Sequence, residues 1–391
     1  MIAINRRQDC AGCSACAAIC PKQCISMGRD EEGFVYPQLD ETECMNCHLC
    51  EKVCPILNKK SAEGDAPIVY ASYNKDEHVR MHSSSGGIFS LFADWVLAQG
   101  GVVFGAGYGE KNKIIHKAAR TSNELEELRG SKYVQTDICG IYLEVKKALN
   151  ANEWVLFTGT PCQVQGLKTY LGKEYDKLVT QDLICHGVAS PMVWEKYLQY
   201  HEKRQEAKVV GVSFRSKRKG WKKFSMELHF SNKKIYSQTL DKDAMLQFFL
   251  KDYSLRPSCY DCKFKESKHI SDITLADFWG IEHLKPEICE EKGVSLVFLN
   301  TDKAKKIFEG LKPKVCFELV SLESVIPYNS AILHSVKEPE KREQFFADIK
   351  EGNVDRVYCK YCLDPLPRRL INHVHRMLYN IKQKLKRRKD K

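Results

Sequence analysis

The chain has 391 residues, 43% of them hydrophobic, so it can bury a sizeable core and should form two or three domains. Its 18 cysteines would suit a secreted disulfide-rich protein, but no signal-peptide pattern opens the sequence, which favours a reducing, cytoplasmic location. The formal net charge is +11, with much of the excess near the C-terminus, and nucleic-acid binding finds no other support.

Two copies of one cysteine spacing come first. The first copy is Cys10, Cys13, Cys16 and Cys20, followed by Pro21, and the second is Cys44, Cys47, Cys50 and Cys54, followed by Pro55. This C-x2-C-x2-C-x3-C-P run is typical of two-cluster ferredoxins, in which the fourth thiolate of each run binds the other cluster. The spacing predicts two 4Fe-4S clusters, one held by Cys10, Cys13, Cys16 and Cys54 and the other by Cys44, Cys47, Cys50 and Cys20. Zinc knuckles fit this arrangement poorly. Cys24 lies outside the pattern and is interpreted as a buried free thiol.

A linker is predicted from Asn58 to Pro67, after which the pattern becomes α/β. The most apolar window, from Ile88 to Tyr108, is interrupted by polar residues and a glycine pair, so it is too broken to span a bilayer. Its periodicity indicates an amphipathic helix that begins at Ile88, and then a short strand from Val102 to Phe104.

Two cysteines follow predicted strands directly. A strand at Glu153–Phe157 leads to Cys162 and a helix ending at Leu171, and a strand at Lys177–Ile184 leads to Cys185. Parallel strands place their carboxyl ends at one edge of a sheet, where ligands bind. With the C-x2-C pair Cys259 and Cys262, these thiols would complete a third four-thiolate site. Separate buried cysteines and a zinc loop remain the alternatives.

The patterns in the C-terminal part of the sequence say less about function. Strands are predicted at Val209–Phe214 and Phe224–Phe230, joined by a basic loop that is either a solvated hairpin tip or a binding site for an anionic substrate or an acidic partner. Cys359 and Cys362 have no partner pair. The basic tail Arg368–Lys391 is either a solvated helix or a peripheral contact with an anionic membrane surface.

Several separated motifs carry a resemblance to a known family. They are Ser83-Ser84-Ser85-Gly86-Gly87, Gly130-Ser131-Lys132-Tyr133-Val134-Gln135, Thr158-Gly159-Thr160-Pro161-Cys162-Gln163, Cys185-His186-Gly187-Val188, and Cys259-Tyr260-Asp261-Cys262 before Asp277-Phe278-Trp279-Gly280. In this order, from about Asp9 to Ala331, the chain resembles the coenzyme F420 hydrogenase/dehydrogenase beta-subunit family, in the form with an N-terminal two-cluster ferredoxin domain.

The resemblance implies a flavoprotein that binds FAD and a third 4Fe-4S cluster. It implies a mixed α/β fold with a ferredoxin-type domain at 1–58, a flavin-binding domain in two parts at 67–150 and 151–335, and a helical basic tail at 336–391. In archaeal relatives the hydride partner is an 8-hydroxy-5-deazaflavin coenzyme, but the family name does not fix the acceptor.

Residue chemistry agrees with a flavin nucleotide site. Ser83, Ser84, Ser85, Gly86 and Gly87 precede the Ile88 helix, where hydroxyls and unhindered amides can face a pyrophosphate, although an ordinary helix cap is the alternative. Ser131, Lys132 and Thr160 are further candidates for cofactor binding. Tyr133 is either a ring that stacks on the cofactor or a core aromatic.

Two other side chains are candidates for chemistry of their own. His186, which neighbours Cys185, is a candidate for proton transfer because an unperturbed histidine titrates near neutrality, and a structural histidine is the alternative. Asp277 is a candidate for binding the cofactor ribose, or else a turn-forming aspartate. Lys132 and His186 are the predicted catalytic residues.

These sites predict an iron–sulfur flavoprotein oxidoreductase. A ferredoxin or another redox partner protein would exchange single electrons with the N-terminal clusters, and FAD would exchange a hydride with a small acceptor or donor. Two alternatives stay open. One is a flavin-free adaptor that serves a separate catalytic partner, and the other is a reductase in polysaccharide biosynthesis.

Overall fold

The structure, a computed structural model, describes residues 2–363, so the tail predicted at Arg368–Lys391 lies outside the described residues. The strands are β1 Ile25–Arg29, β2 Val35–Leu39, β3 Ile68–Asn74, β4 Val102–Tyr108, β5 Ile114–Ala119, β6 Val155–Thr158, β7 Leu178–Leu183, β8 Val209–Ser216, β9 Ser225–Phe230, β10 Ile235–Thr239, β11 Ile273–Asp277, β12 Ser295–Leu299 and β13 Val315–Val320. The α-helices are α1 Ala15–Ile19, α2 Leu49–Lys52, α3 Glu77–Met81, α4 Ile88–Ala98, α5 Ser122–Leu128, α6 Ile141–Asn150, α7 Pro161–Leu171, α8 Pro191–Gln205, α9 Ala244–Leu250, α10 Ile281–Leu284, α11 Asp302–Leu311, α12 Leu322–Val325, α13 Arg342–Glu351 and α14 Val354–Cys362.

A mixed sheet of eight strands, in the order β13-β3-β12-β11-β7-β6-β4-β5, forms the centre of the molecule. Four consecutive strands, β11, β7, β6 and β4, run parallel to one another, and all other neighbouring pairs in the sheet are antiparallel. Val155, Leu156 and Phe157 of β6 are fully buried, as expected for a strand that is covered on both faces. The predicted α/β class is confirmed.

The strands and helices predicted before and after Cys162 and Cys185 are also confirmed. Helix α7 has Pro161 in its first turn and ends at Gly172, whose φ of 71° is the left-handed conformation that glycine adopts readily. Helix α8 begins after Ser190, whose hydroxyl accepts a bond from the Val193 amide at 3.1 Å. Strand β4 is longer than predicted, because residues as far as Tyr108 pair with β5.

A second, three-stranded sheet, β10-β9-β8, packs with α8, α9, α13 and α14 around a separate core. Trp194, Phe214, Phe248 and Phe345 are fully buried there. The chain after residue 336 therefore supplies core side chains as well as charged ones. Among residues 2–363, no helix is long and apolar enough to cross a bilayer.

The N-terminal region, with the β1-β2 hairpin and two short helices, is packed tightly against the α/β part. The Arg256 guanidinium is 1% exposed and donates to the Cys10 and Val35 carbonyls at 2.9 and 3.0 Å. The Thr169 hydroxyl of α7 donates to the Val53 carbonyl at 2.7 Å. These bonds fix the position of the N-terminal cysteines relative to the large sheet.

Helix α13, the last but one among the described residues, is joined to the N-terminal region by a buried ion pair. Arg342 donates to Glu32 through both terminal nitrogens, at 2.9 and 2.6 Å, and also to the Leu255 carbonyl. Both charged side chains are nearly inaccessible to solvent. Bidentate geometry of this kind is the strongest form of a carboxylate–guanidinium pair.

We predict that Arg342→Ala lowers the free energy of unfolding by about 3 kcal/mol, because it leaves the buried Glu32 carboxylate with only its longer contact to Arg7, at 3.5 Å. Arg204→Ala removes an exposed ion pair with Asp355 and should cost less than about 1 kcal/mol. Urea unfolding of the two variants tests this difference. Equal losses would show that the Glu32 pair does not hold the two regions together.

Candidate functional site

Two small cavities in the N-terminal region are each lined by cysteines of both runs. The first N-terminal cavity is lined by Cys10, Cys13, Cys16 and Cys54. The second N-terminal cavity is lined by Cys20, Cys44, Cys47 and Cys50, together with Cys24. The structure thus brings together the two predicted ligand sets, each with three cysteines from one run and the fourth from the other.

Tight left-handed turns shape the two cysteine loops. Gly12, Ser14, Asn46 and His48 all have φ between 53 and 68°. Gly12 is required by close packing as well, because a Cβ there would lie 2.3 Å from the Gln135 amide nitrogen. Glycine, serine and asparagine between the cysteines therefore reflect the curvature of the loops.

The chemistry of these cysteines fits iron–sulfur clusters. Burial raises the pKa of Cys16 to about 12 and raises that of Cys13 well above its usual value. A buried thiolate needs a compensating cation, which iron would supply. In the part of the chain that the structure describes, no three metal-ligating side chains converge as a single ion would require. A cube of four irons spaces its ligands more widely than one ion does.

The four inner cysteines also lie close to one another. Cys162 is at the start of α7, Cys185 follows β7, and Cys259 and Cys262 lie on the loop before β11. Burial raises the pKa of Cys185, and the charges of the other three thiolates raise it further. Lys265 donates to the Cys185 carbonyl, and its positive charge acts to lower the pKa of three of the four thiols.

Cys13 connects the first N-terminal cavity to the inner cysteines. Its sulfur packs on α7, where a Cβ at Gly166 would lie 3.0 Å from it. The charge of Cys162 contributes to the raised pKa of Cys13. The first N-terminal cavity and the inner cysteines are therefore neighbours across the first turns of α7.

A cavity of about 670 Å³, the sheet-edge cavity, lies at the carboxyl ends of the parallel strands. Of the predicted cofactor and catalytic residues, it is lined by Ser83, Ser84, Ser85, Gly87, Ser131, Lys132, Tyr133, Thr160, His186 and Asp277. Of the four inner cysteines, Cys185 lines this cavity as well. Gly86 does not line it, because its amide bonds the Ser295 hydroxyl at 2.9 Å under the loop.

The serine–glycine loop is ordered by its own hydrogen bonds. The Ser83 hydroxyl donates to the Val79 carbonyl at 2.7 Å and the Ser85 hydroxyl to the Val294 carbonyl at 3.0 Å. Ser84 accepts a bond from the Ser131 amide at 2.7 Å. The two predicted binding segments are thus joined at Ser84, whereas Ser83 and Ser85 donate their only hydroxyl protons to backbone carbonyls and cannot donate them to a phosphate as well.

Lys132 and Tyr133 differ in their surroundings. The Lys132 ammonium donates to the Glu127 and Arg129 carbonyls, and burial lowers its pKa to about 7. Tyr133 stacks on Phe249 with ring centres 4.4 Å apart. Tyr133 therefore already has an aromatic partner on one face.

Arg215 is a cavity residue that the sequence analysis assigned to the basic loop 215–223, expected to be either a solvated hairpin tip or a binding site for an anionic substrate or an acidic partner. It belongs instead to β8, next to a register shift between Ser213 and Ser216. It is 8% exposed and pairs with Asp277 through one terminal nitrogen. Its Nε and other terminal nitrogen are shielded from solvent and form no hydrogen bond of good geometry, although the guanidinium also interacts with the Tyr133 hydroxyl. A buried guanidinium in the wall of a cavity is suited to pairing with an anionic ligand.

Asp277 and two tryptophans build the wall next to Arg215. Trp221 is fully buried and donates to Asp277 at 3.1 Å, and it stacks parallel on Trp279 with centres 5.1 Å apart. Trp279 lines the cavity and remains partly exposed. Asp277 thus orients Arg215 and the indole pair, which is a positioning role that the sequence did not indicate.

Two histidines, His116 and His186, line the sheet-edge cavity and have different hydrogen-bond partners. His186 Nε2 lies 2.7 Å from Asp252 Oδ1, a partner 66 residues away that the sequence analysis did not find. His116 donates to the Thr158 carbonyl and accepts from the Thr136 hydroxyl, both at 2.9 Å. Burial lowers the pKa of His116 to about 4, so it stays neutral near pH 7.

Two parts of the chain match families of known proteins. The family described as the C terminus of the beta subunit of coenzyme F420 hydrogenase/dehydrogenase matches residues 152–325, and the 4Fe-4S dicluster domain matches residues 9–57. Among solved structures, the chain is similar to a chain of the F420-reducing nickel–iron hydrogenase complex from Methanosarcina barkeri, studied by xenon derivatization. The identity is 16% and the TM-score 0.47, over 70% of this chain and 93% of that chain. No match was found among the curated proteins.

We predict that His116 makes the chain less stable as the pH falls. The unfolded chain binds a proton near the ordinary histidine pKa, whereas folded His116 resists protonation until about pH 4. Between pH 7.5 and 5 this should cost about 2 kcal/mol. His116→Gln should flatten the dependence by that amount in urea unfolding, and the exposed His334→Gln should not. Parallel curves for wild type and His116→Gln would contradict a neutral buried imidazole.

Proposed function

Because the chain belongs to the coenzyme F420 hydrogenase/dehydrogenase beta-subunit family and has an N-terminal 4Fe-4S dicluster domain, we propose that it is an iron–sulfur flavoprotein oxidoreductase. One observation supports this most strongly. The second N-terminal cavity, the first N-terminal cavity, the inner cysteines and the sheet-edge cavity follow one another through the molecule. Such a series suits electron transfer between a protein partner and a bound organic cofactor.

The proposed cluster ligands follow from the cysteine groups. The two N-terminal cavities would hold two 4Fe-4S clusters, and Cys162, Cys185, Cys259 and Cys262 would hold a third. Burial raises the pKa of Cys162 to about 12 and that of Cys259 to about 11, so bound iron would be needed to hold them as thiolates, and the charges of Lys265 and Arg256 act in the same direction as iron. When bound, clusters exchange single electrons and a flavin exchanges one or two, which is the chemistry that these groups supply.

We place FAD in the sheet-edge cavity. Its volume of about 670 Å³ is within the range of cofactor sites, and it lies where open α/β sheets bind nucleotides. The buried guanidinium of Arg215 in the cavity wall suits an anionic group, and the serine–glycine loop precedes the eleven-residue helix α4. Tyr133, Thr160 and Asp277 complete the proposed binding set.

The proposed catalytic residues hold protons beside this cavity. His186 holds one at Nε2 in its bond to Asp252, which sets the orientation of the imidazole. Lys132, with a pKa of about 7, gains or loses a proton at Nζ near neutrality. We propose that the substrate is a small molecule, deazaflavin-like or of another class, that gives or takes a hydride, and that a ferredoxin-like protein is the redox partner.

The first test is to purify the full chain without oxygen and to quantify iron and extracted flavin per chain. About twelve irons and one FAD are expected for three clusters and one flavin. About eight irons and no flavin in a folded sample would contradict both the proposed inner cluster and the proposed hydride reaction. The chain would then be an electron-transfer adaptor for a separate catalytic partner.

Replacing an inner cysteine tests the third cluster by itself. We predict that Cys162→Ser and Cys259→Ser each remove about four irons per chain and leave the N-terminal clusters in place. Cys289→Ser, at a half-buried cysteine outside the proposed ligand sets, is the matched control and should keep all the iron. Iron content and the electron paramagnetic resonance spectrum of the reduced protein report the loss. Unchanged iron in both inner variants would exclude this site.

Arg215 is tested by a change that keeps its charge. Arg215→Lys keeps a cation near Asp277 but removes the planar fork, so we predict flavin binding to weaken by about tenfold or more. Arg218→Lys, whose side chain is 67% exposed, is the control. Titration of deflavinated protein with FAD, followed by fluorescence quenching, measures both affinities. Equal affinities would remove Arg215 from the binding site.

A further inference from the structure

Arg256 is the most buried arginine among the described residues, and all of its hydrogen-bond partners are neutral. The residue is 1% exposed. Its Nε donates to the Cys10 carbonyl at 2.9 Å, and its terminal nitrogens donate to the Val35 carbonyl at 3.0 Å and to the Gln135 side-chain oxygen at 3.2 Å. These bonds satisfy the donors of the guanidinium, but they do not balance its positive charge.

The other buried arginines show that this arrangement is unusual for the chain. Each of the other three that are buried in residues 2–363 pairs with a carboxylate; the pairs are Arg80–Glu290, Arg215–Asp277 and Arg342–Glu32. No carboxylate among the same residues pairs with Arg256. A buried cation without a counter-ion is costly, so another negative group is expected beside it.

Two aromatic rings contact the guanidinium without supplying that negative charge. The guanidinium carbon of Arg256 lies 4.2 Å from the centre of the Tyr36 ring and 5.5 Å from the centre of the Phe34 ring. Such contacts stabilise a cation only in part. Burial raises the pKa of Tyr36 to about 12, so its hydroxyl stays neutral near pH 7. The rings therefore leave the counter-charge to other groups.

Cysteines of two proposed cluster sites lie near Arg256. In the first N-terminal cavity, a Cβ at Gly12, within the first cysteine loop, would lie 2.9 Å from a terminal nitrogen of Arg256. Burial raises the pKa values of the inner thiols Cys162 and Cys259, and the charge of Arg256 acts against that rise. A 4Fe-4S cluster on four thiolates carries a net charge of about −2 when oxidised and about −3 when reduced. Both groups beside the guanidinium would therefore be negative, and more so in the reduced state.

We propose that Arg256 is the counter-ion shared by the first N-terminal cluster and the inner cluster, and that its charge favours the reduced form of both. Each reduction adds one electron to a cluster, supplied by the ferredoxin-like partner or by the reduced flavin of the proposed function. No bond forms or breaks, and no proton moves. This inference rests on the proposed function, since it requires clusters at both places.

A charge that two clusters share suits electron transfer between them. Attraction to the guanidinium lowers the energy of an added electron on either cluster, and in a buried site this attraction is screened little by salt. Because Arg256 acts on both clusters, the electron keeps this stabilisation as it passes from one to the other. The second N-terminal cavity is lined by none of the cysteines that Arg256 contacts or influences, so its cluster should respond little.

The test is a redox titration of full-length protein purified without oxygen, followed by electron paramagnetic resonance of the reduced clusters. Arg256→Met removes the charge and should lower the electron affinity of two clusters about tenfold each, which is about 59 mV for one electron. Arg256→Lys keeps the charge and should stay within about threefold of wild type. The inference is overturned if Arg256→Met shifts no cluster by more than about threefold, or if Arg256→Lys shifts them as far as Arg256→Met.

A second pair of variants leaves Arg256 and its hydrogen bonds in place. Above neutral pH, Tyr36→Glu puts a carboxylate beside the guanidinium and should lower the electron affinity of the same two clusters about tenfold. The neutral Tyr36→Gln, of the same size, should stay within about threefold of wild type. Equal potentials in these two variants overturn the inference, even if Arg256→Met binds no iron.

The outcomes separate this inference from the function on which it rests. Absence of iron from the wild-type chain would overturn the proposed function itself. Iron-loaded variants whose potentials equal those of wild type would overturn only the role of Arg256.

Discussion

The buried guanidinium of Arg256 is the contact on which the relation between the two halves of the molecule depends. It donates to the carbonyls of Cys10 and Val35 and to the side chain of Gln135, at 2.9 to 3.2 Å. It also lies three residues before Cys259, at the start of the loop that carries the inner C-x2-C pair. One side chain therefore positions the first N-terminal cavity and the inner cysteines against each other. Burial raises the pKa of Cys162 to about 12 and that of Cys259 to about 11, and the charge of Arg256 acts against that rise.

Local patterns in the sequence predicted the elements that carry the chemistry. The cysteine runs, the two strand–cysteine–helix units and the Ser190 cap are all encoded within a few residues, and the structure contains the predicted elements. The cavity at the carboxyl edge of the sheet followed from a topological rule for parallel strands. The sequence alone was thus sufficient for the fold class, and the residues that it predicted for the two kinds of site lie near one another in the structure.

What the sequence did not predict depends on long-range contacts. Arg215 was assigned to a basic loop, either solvated or ligand-binding, and the register shift in β8 beside it has no local signal in the sequence. Asp252 and His186 are 66 residues apart in the sequence, and no local sequence pattern predicts that their side chains pair. Cys24 was recognised as outside the cysteine spacing, but its distance from Cys20 depends on a turn and a hairpin that the spacing does not describe.

The interleaving of the two cysteine runs has a consequence for biosynthesis. Each N-terminal cavity takes cysteines from both runs, so neither cavity is complete until the second run has been translated almost to its end. The cysteines of the first N-terminal cavity also contact α7 and Arg256, which are translated much later. Neither cluster could therefore be inserted before the two runs have folded together, and a chain that ended between the runs would lack both sites.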